Sequence, residues 1–193
     1  GEWNTWSTPG TYTWSQDASP YNLNMMGFIA YVYGSDLGYT ASYISNGGVG
    51  LTNDWFGVTD YTSTVGSFTD GDQGYQMSDT DGIAQLAFDS LSDADSVSMD
   101  IYIQDTGWEA ADYLTISYVG TSSTVTILDI AGHATSGNDG GFAAYEGMWT
   151  TVSADVSGGG YLIVEFSSNS GSEAIYMDNI VFTSDNLDED LDD

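Results

Sequence analysis

Aspartates and glycines are concentrated in segment 70–82, where their spacing suits a hard cation. Asp70 and Asp72 flank one glycine, and Asp79 and Asp81 precede another, so each pair can present two carboxylates at a tight turn. Calcium takes about six to eight oxygen ligands from carboxylates, carbonyls and water. The segment therefore predicts a calcium site with these four aspartates as ligands. The alternative is a polar turn that only leads into a strand.

Asp178 stands in an apolar run near the C-terminal end, beside Met177, and it can be buried there. An unpaired buried carboxylate is costly. Because the chain has no Lys or Arg, its stabiliser must be a metal ion, backbone N–H groups or its own protonation. A metal shared with Asp79 and Asp81, with Glu173 as a further ligand, is one hypothesis. An edge strand that leaves Asp178 in water is the other.

The net charge of the whole chain is a further reason to expect cations at these carboxylates. There are 29 acidic residues, one histidine and no lysine or arginine, which gives a formal net charge of −29. Such a chain repels itself, so dissolved cations, above all calcium, are expected to supply the counter-charge. The absence of lysine and arginine also excludes nucleic acid and anionic membrane surfaces as partners. No apolar run reaches the roughly 18 residues that membrane insertion requires.

Aromatic residues are the other candidates for binding. The chain has 6 Trp and 14 Tyr. Trp55, Trp108 and Trp149 stand near predicted strand ends and loops, where flat rings stack on sugars. Glu109 and Asp112, beside Trp108, can accept sugar hydroxyls or form a second cation site. The alternative is that the three rings fill the core.

Catalytic signals are weak, and no catalytic residue is predicted. His133 is the only histidine, and no G-x-S-x-G elbow accompanies it. Zinc catalysis is disfavoured with one His and no Cys. The sequence therefore favours a protein that is not an enzyme, and a glycan hydrolase or lyase is only a third hypothesis.

Short runs of alternating apolar and polar residues must position all these groups, and they predict strands. The clearest runs are 82–88, 96–103, 113–119, 125–130, 149–156, 161–166 and 174–182. Their number and the turns between them predict an all-β chain, an antiparallel two-sheet β-sandwich of jelly-roll type.

Three regions are expected along the chain. Residues 51–184 form the predicted sandwich. Residues 1–50, with predicted strands at 28–33 and 39–44, form an aromatic-rich arm or extra strands of the same sandwich. Residues 185–193 are rich in acids and form a tail or linker, with a calcium loop as the alternative.

From about residue 53 to 183 the chain resembles the calcium-stabilised jelly-roll modules. This group includes carbohydrate-binding modules, galactose-binding-like domains and MAM-type adhesion domains. The stretches that carry the resemblance are 74–82 entering a strand, Trp108-Glu109-x-x-Asp112-x-Leu114, Trp149-Thr150 and 173–180. The resemblance implies a structural calcium near the chain ends, with Asp178 as a ligand, and recognition of sugars or glycoproteins.

Two functional hypotheses follow. The first is a secreted, non-catalytic module that binds calcium structurally and recognises polysaccharide or glycoprotein in an extracellular or cell-surface assembly. The second is a structural subunit or repeat of an extracellular fibre or matrix, which would bind copies of itself by β-strand addition.

Overall fold

A computed structural model describes residues 39–45, 55–59, 61–90 and 94–183. Within these ranges the chain forms strands and one short 3-10 turn at Phe142–Ala144. No helix in these ranges is long and apolar enough to cross a bilayer. The predicted strand at 28–33 and the acidic segment 185–193 lie outside the described residues.

The described residues form two five-stranded sheets. The strands are β1 Tyr39–Ser45, β2 Trp55–Thr59, β3 Gly74–Ser78, β4 Gly82–Asp89, β5 Ser96–Ile103, β6 Tyr113–Gly120, β7 Thr124–Ala131, β8 Trp149–Asp155, β9 Gly160–Ser167 and β10 Ala174–Thr183. Sheet A has the order β1-β4-β9-β6-β7, and sheet B has the order β2-β3-β10-β5-β8. All neighbours are antiparallel. The predicted antiparallel β-sandwich is confirmed.

The seven runs predicted from alternation become β4 to β10, with ends that agree to within one residue. Strand β1 pairs with β4, so at least residues 39–45 belong to the sandwich. Strands β2 and β3 were not predicted. All five residues of β3 are buried, so the strand shows no alternation between an apolar and a polar face.

The core lies between the sheets and follows the two-residue period of the strands. On β4, β6 and β9 alternate side chains are buried, including Leu86, Ile116 and Val164. Met99 and Met177 are among the side chains of sheet B that complete the same apolar cluster. The intervening side chains of sheet A face outward.

The outer faces of the two sheets differ. Segment 61–73 covers the outer face of sheet B, where Phe68 joins Tyr176 in a second buried cluster. The Trp149 indole N–H donates to the Ser67 carbonyl oxygen at 2.8 Å, which ties this segment to β8. On the outer face of sheet A the side chains of β4, β6 and β9, such as Thr115, are at most half-buried. This face is therefore accessible among the described residues.

Candidate functional site

Three carboxylates meet where the β5–β6 and β9–β10 loops come together. One carboxylate oxygen from each of Glu109, Asp112 and Glu173 lies within 4.8 Å of the others. Asp112 is 1% exposed and Glu173 is 3% exposed, whereas Glu109 is exposed. No other group of this kind occurs in the part of the chain that the structure describes. We refer to these three residues as the carboxylate cluster.

A tight turn before β6 positions the first two members of the cluster. The Glu109 N–H donates to Asp112 Oδ2 at 2.6 Å, and the Asp112 N–H donates back to the Glu109 carbonyl oxygen at 3.0 Å. Trp108 anchors this turn in the core, because its ring stacks on Phe142 with centroids 4.1 Å apart. Gly132 closes the other side, where a Cβ atom would lie 2.0 Å from the Glu109 carbonyl oxygen. Only a glycine allows this close approach.

Glu173 reaches the cluster from the loop before β10. Its Oε2 accepts a hydrogen bond from the Asn169 N–H at 3.0 Å, and its own N–H donates to the Ser170 carbonyl oxygen at 2.9 Å. The pairing of β5 with β10 brings the two loops together, since Ile103 lies opposite Ile175 at the ends of these strands. The register of sheet B therefore determines that the cluster forms.

Burial and the closeness of the three carboxylates shift the pKa values of the cluster. Burial raises the pKa of Asp112 to about 7, with the neighbouring Glu109 as a further cause. Burial, followed by a hydrogen bond with Glu109, raises the pKa of Glu173 to about 8. Hydrogen bonds from Glu173 and Asp112 lower the pKa of the exposed Glu109. In the absence of a cation, the two buried members therefore release their protons at higher pH than ordinary carboxyl groups do, and Glu109 is the first of the three to become charged.

The cluster has the chemistry of a hard-cation site. All its donor atoms are oxygens, the class of ligand that Ca²⁺ and Mg²⁺ prefer. Because the chain contains no Lys or Arg, these carboxylates have no lysine or arginine partner. The three residues are therefore able to hold a metal ion. Glu173 was predicted as a metal ligand, and Glu109 and Asp112 as sugar-binding residues or a second cation site.

Asp178 is fully buried but is stabilised by the chain itself. Its Oδ2 accepts hydrogen bonds from the Thr69 N–H at 2.7 Å, the Thr69 hydroxyl at 3.1 Å and the Asp70 N–H at 2.8 Å. Its Oδ1 accepts the Asn179 N–H at 2.8 Å. Of the three stabilisers that the sequence allowed, the structure shows backbone N–H groups. Asp178 thereby fastens segment 61–73 to sheet B.

A second buried carboxylate lies directly opposite Asp178 on β5. Asp100 accepts hydrogen bonds from the Thr151 hydroxyl and from Asn179 Nδ2. Burial raises the pKa of Asp100, but hydrogen bonds from Thr151, Thr69 and Asn179 outweigh it and leave that pKa below its usual value. The irregular pairing of β10 after Asp178, where Asn179 has φ 48°, allows the amide to reach across.

The other predicted metal ligands do not join Asp178. Asp79 and Asp81 form a left-handed turn with φ of 51° and 45°, and burial, aided by the charge of Asp81, raises the pKa of Asp79. This turn follows Ser78, which pairs with Ala174, so it lies at the opposite end of the β3–β10 pairing from Asp178. Four residues of strand separate the two positions by roughly 13 Å. A shared ion is therefore incompatible with this register.

Asp70 and Asp72 also stay outside the cluster. Asp70 is half-buried and uses its backbone N–H to bind Asp178, and Asp72 is exposed. Of the six predicted ligands, only Glu173 belongs to the carboxylate cluster.

Two of the three predicted tryptophan platforms make ring contacts within the protein. Trp108 is 2% exposed and stacked on Phe142, so its ring fills the core. Trp149 is half-buried and packs against Tyr102 and Phe68 at centroid distances of 5.7 and 6.1 Å. Trp55 begins β2, and its side chain is not among those the structure describes. Trp108 therefore has no exposed face for a sugar.

Sequence reasoning missed a polar group on the outer face of sheet A. Tyr113 Oη donates to Glu165 Oε1 at 2.9 Å, and Gln85 Nε2 donates to Glu165 Oε2 at 3.2 Å. Gln85, Glu165 and Thr115 lie side by side on three neighbouring strands. On the same face, Tyr161 is 51% exposed. The alternation of β6 and β9, which places Tyr113, Glu165 and Tyr161 outward, was the signal that could have found this group.

No protein-family model matches the sequence, and a search of the curated proteins gives no match. Among solved structures, the chain is similar to the K2 cleaved adhesin domain of Lys-gingipain, with 15% identity over 76% of this chain and 90% of that chain and a TM-score of 0.49. It is also similar to a family 11 carbohydrate-binding module from Clostridium thermocellum in complex with a β-1,3-1,4-mixed-linked tetrasaccharide, with 12% identity, coverage of 77% and 89%, and a TM-score of 0.37.

A secreted serine protease, VesC from Vibrio cholerae, is a further similar structure, with 12% identity over 67% of this chain and 24% of that chain and a TM-score of 0.36. At this level the similarity concerns the β-sandwich alone. Function must therefore be argued from the side chains.

Replacing Asp178 with alanine should destabilise the protein by about 2–4 kcal/mol, because the buried donors of Thr69, Asp70 and Asn179 lose their acceptor. Urea unfolding measures the change. The control is Asp155→Asn on the exposed end of β8, which should stay within about 0.5 kcal/mol of the parent. An Asp178→Ala variant as stable as this control would contradict the assigned role.

The stability of the protein in a chelator should fall as the pH rises from about 5 to 8. The pKa values of Asp112 and Glu173 are raised to about 7 and about 8 in the folded state, so the folded chain retains protons that the unfolded chain has already released. Each retained proton costs about 1.4 kcal/mol per pH unit in this window. Thermal unfolding at several pH values measures the slope.

The Glu173→Gln variant supplies the control for this pH series, because it removes one of the two titrating groups. Its stability should depend less on pH between about 6 and 8. An equal slope in the parent and the variant would show that other groups cause the pH dependence.

Proposed function

We propose that this protein is a non-catalytic, extracellular β-sandwich module that binds neutral polysaccharide and is stabilised by Ca²⁺ at Glu109, Asp112 and Glu173. The observation that carries the proposal is the carboxylate cluster, two members of which are buried, in a chain without a single basic side chain other than one histidine. The cation supports the loops, and the outer face of sheet A binds the glycan.

Calcium is favoured over other hard cations by the geometry of the cluster. Three carboxylates from two loops supply only part of a calcium shell, and backbone carbonyls and water can complete a flexible coordination of this kind. Magnesium requires near-ideal octahedral geometry and keeps several of its waters, so it is less suited to two nearly inaccessible carboxylates.

The outer face of sheet A supports the binding of glycan chains. Glu165 is held by hydrogen bonds from Tyr113 and Gln85, so its acceptor position is fixed before a ligand arrives. Burial and the adjacent Glu165 raise the pKa of Tyr113 to about 12, so its hydroxyl remains a donor. Tyr161 adds an exposed ring that can stack on a sugar. A formal charge of −29 opposes acidic polysaccharides, so the ligand is a neutral one.

Calcium should raise the melting temperature, and EDTA should reverse the effect. A cation that binds only the folded state stabilises it by about 2.7 kcal/mol at a hundredfold excess over Kd. Calorimetry with and without calcium measures this, with Glu173→Gln as the variant that should lose the response and Asp155→Asn as the control that should keep it.

An unchanged melting temperature in EDTA would contradict the calcium site. Light scattering during the same calcium titration tests the fibre hypothesis. Growth of filaments without any glycan affinity would favour a structural subunit over a binding module.

Tyr161→Ala and Glu165→Gln should each weaken glycan binding by about tenfold, since each removes a stacking or hydrogen-bonding contact worth roughly 1–1.5 kcal/mol. An array of neutral oligosaccharides identifies a ligand, and titration calorimetry gives the affinities. Tyr61→Ala is the matched control, because Tyr61 is 42% exposed but belongs to the segment that covers sheet B. Equal losses in all three variants would exclude the outer face of sheet A as the binding surface.

A further inference from the structure

A small cavity opens beside the carboxylate cluster and is separate from the outer face of sheet A. It has a volume of about 220 Å³ and lies between segment 107–109 and the loop 133–139. Glu109 belongs both to its wall and to the carboxylate cluster. Its size suits one small polar molecule rather than a long chain.

Hydrogen bonds hold both walls of this cavity in place. The His133 N–H donates to the Trp108 carbonyl oxygen at 3.1 Å, and the Trp108 N–H donates to Asp139 Oδ1 at 3.2 Å. Within the loop, the Asn138 N–H donates to the Thr135 carbonyl oxygen at 3.0 Å. Because Trp108 is itself fixed in the core, the cavity is formed before any ligand binds.

The groups that line the cavity include both donors and acceptors. The Thr135 N–H donates to His133 Nδ1 at 3.0 Å, so Nδ1 is unprotonated and the ring proton lies on Nε2 as a donor. Asn138 uses its Oδ1 to accept the Gly140 N–H, which leaves its amide N–H groups as donors. Glu109 supplies acceptor oxygens. A mixture of this kind matches hydroxyl groups, which both donate and accept.

The surroundings also exclude other ligand classes. Glu109 and Asp139 line the cavity, and burial with the charges of Asp139 and Asp105 raises the pKa of the adjacent Glu146, which reflects a strongly negative environment. Phosphates and acidic sugars are therefore repelled. A purely cationic group would leave the donors of His133 and Asn138 without acceptors.

We infer that this cavity is a second binding pocket, which takes a single neutral sugar residue, such as the end of a glycan chain. The inference rests on the proposed function for its ligand class, and it adds a site that recognises a sugar unit instead of an extended chain. A cation in the carboxylate cluster would fix Glu109, so loading of the cluster with calcium favours sugar binding here.

The single histidine makes the pocket directly observable. The chain has one His, so its imidazole gives one isolated NMR signal. The methyl glycosides of glucose, galactose and mannose are titrated separately in calcium. At least one of them should shift the His133 signal in a saturable way.

Two variants test whether the shift reports binding in the pocket. Asn138→Asp keeps the Oδ1 acceptor for Gly140 but removes the amide donor, and it should weaken the sugar response by about tenfold. Thr135→Val, a second change in the wall, should weaken it as well. Tyr161→Ala, on the outer face of sheet A, should leave the His133 response intact.

Three results would contradict the inference that this pocket binds a sugar. These are the absence of any His133 shift with all three glycosides, a shift that neither Asn138→Asp nor Thr135→Val weakens, and a response to methylguanidinium chloride but to no glycoside. Each of these can occur while calcium still raises the melting temperature and a glycan chain still binds sheet A. Failure of this inference is therefore distinguishable from failure of the proposed function.

Discussion

The absence of lysine and arginine determines how the buried carboxylates of the described residues are stabilised. In an ordinary chain an arginine or lysine can neutralise a buried acid. Here Asp178 is solvated by backbone N–H groups, and Asp100 by a hydroxyl and an amide. Asp112 and Glu173 have fewer donors and must hold protons or a metal ion. The location of the available N–H groups thus separates structural acids from candidate ligands.

This distinction explains why the carboxylate cluster, and not Asp178, is the better cation site. A carboxylate whose lone pairs already accept several N–H donors gains little from a metal ion and would have to lose those bonds. Within the described structure, Asp112 and Glu173 each accept one hydrogen bond from a backbone N–H, and they face a third carboxylate. Burial raises the pKa of both groups, and the neighbouring Glu109 raises it further. A proton and a cation therefore compete for the same unsatisfied oxygens.

The strands were predictable, and most contacts between them were not. Alternation gave β4 to β10 almost residue by residue, and it was clearest for β4, β6 and β9, each of which has one face in the core. It could not give β3, which is buried on both faces. The burial of Asp178 was foreseen as one possibility, but its partner Thr69 lies 109 residues away in the chain, a contact that no local pattern encodes.

The candidate site shows the same division between local and long-range information. Glu109 and Asp112 were identified from a local motif, and Glu173 from its position before the last strand. Their meeting depends on the register of β5 against β10, which the sequence pattern does not specify. Trp108 was a candidate for an exposed platform because it stands in a predicted loop, with a place in the core as the alternative. Its large ring instead anchors the loop in the core, which is how a short turn holds two carboxylates in fixed positions.

The two outer faces of the sandwich differ in how their central carboxylates obtain hydrogen-bond donors. Segment 61–73 can lie on sheet B because Asp178 binds its backbone N–H groups and Phe68 and Trp149 supply apolar contacts. On sheet A the central acid, Glu165, is bound by side chains of its own sheet, Tyr113 and Gln85, so no covering segment is needed to satisfy it. Among the described residues, the two central carboxylates therefore differ in whether their donors come from a covering segment or from the sheet itself.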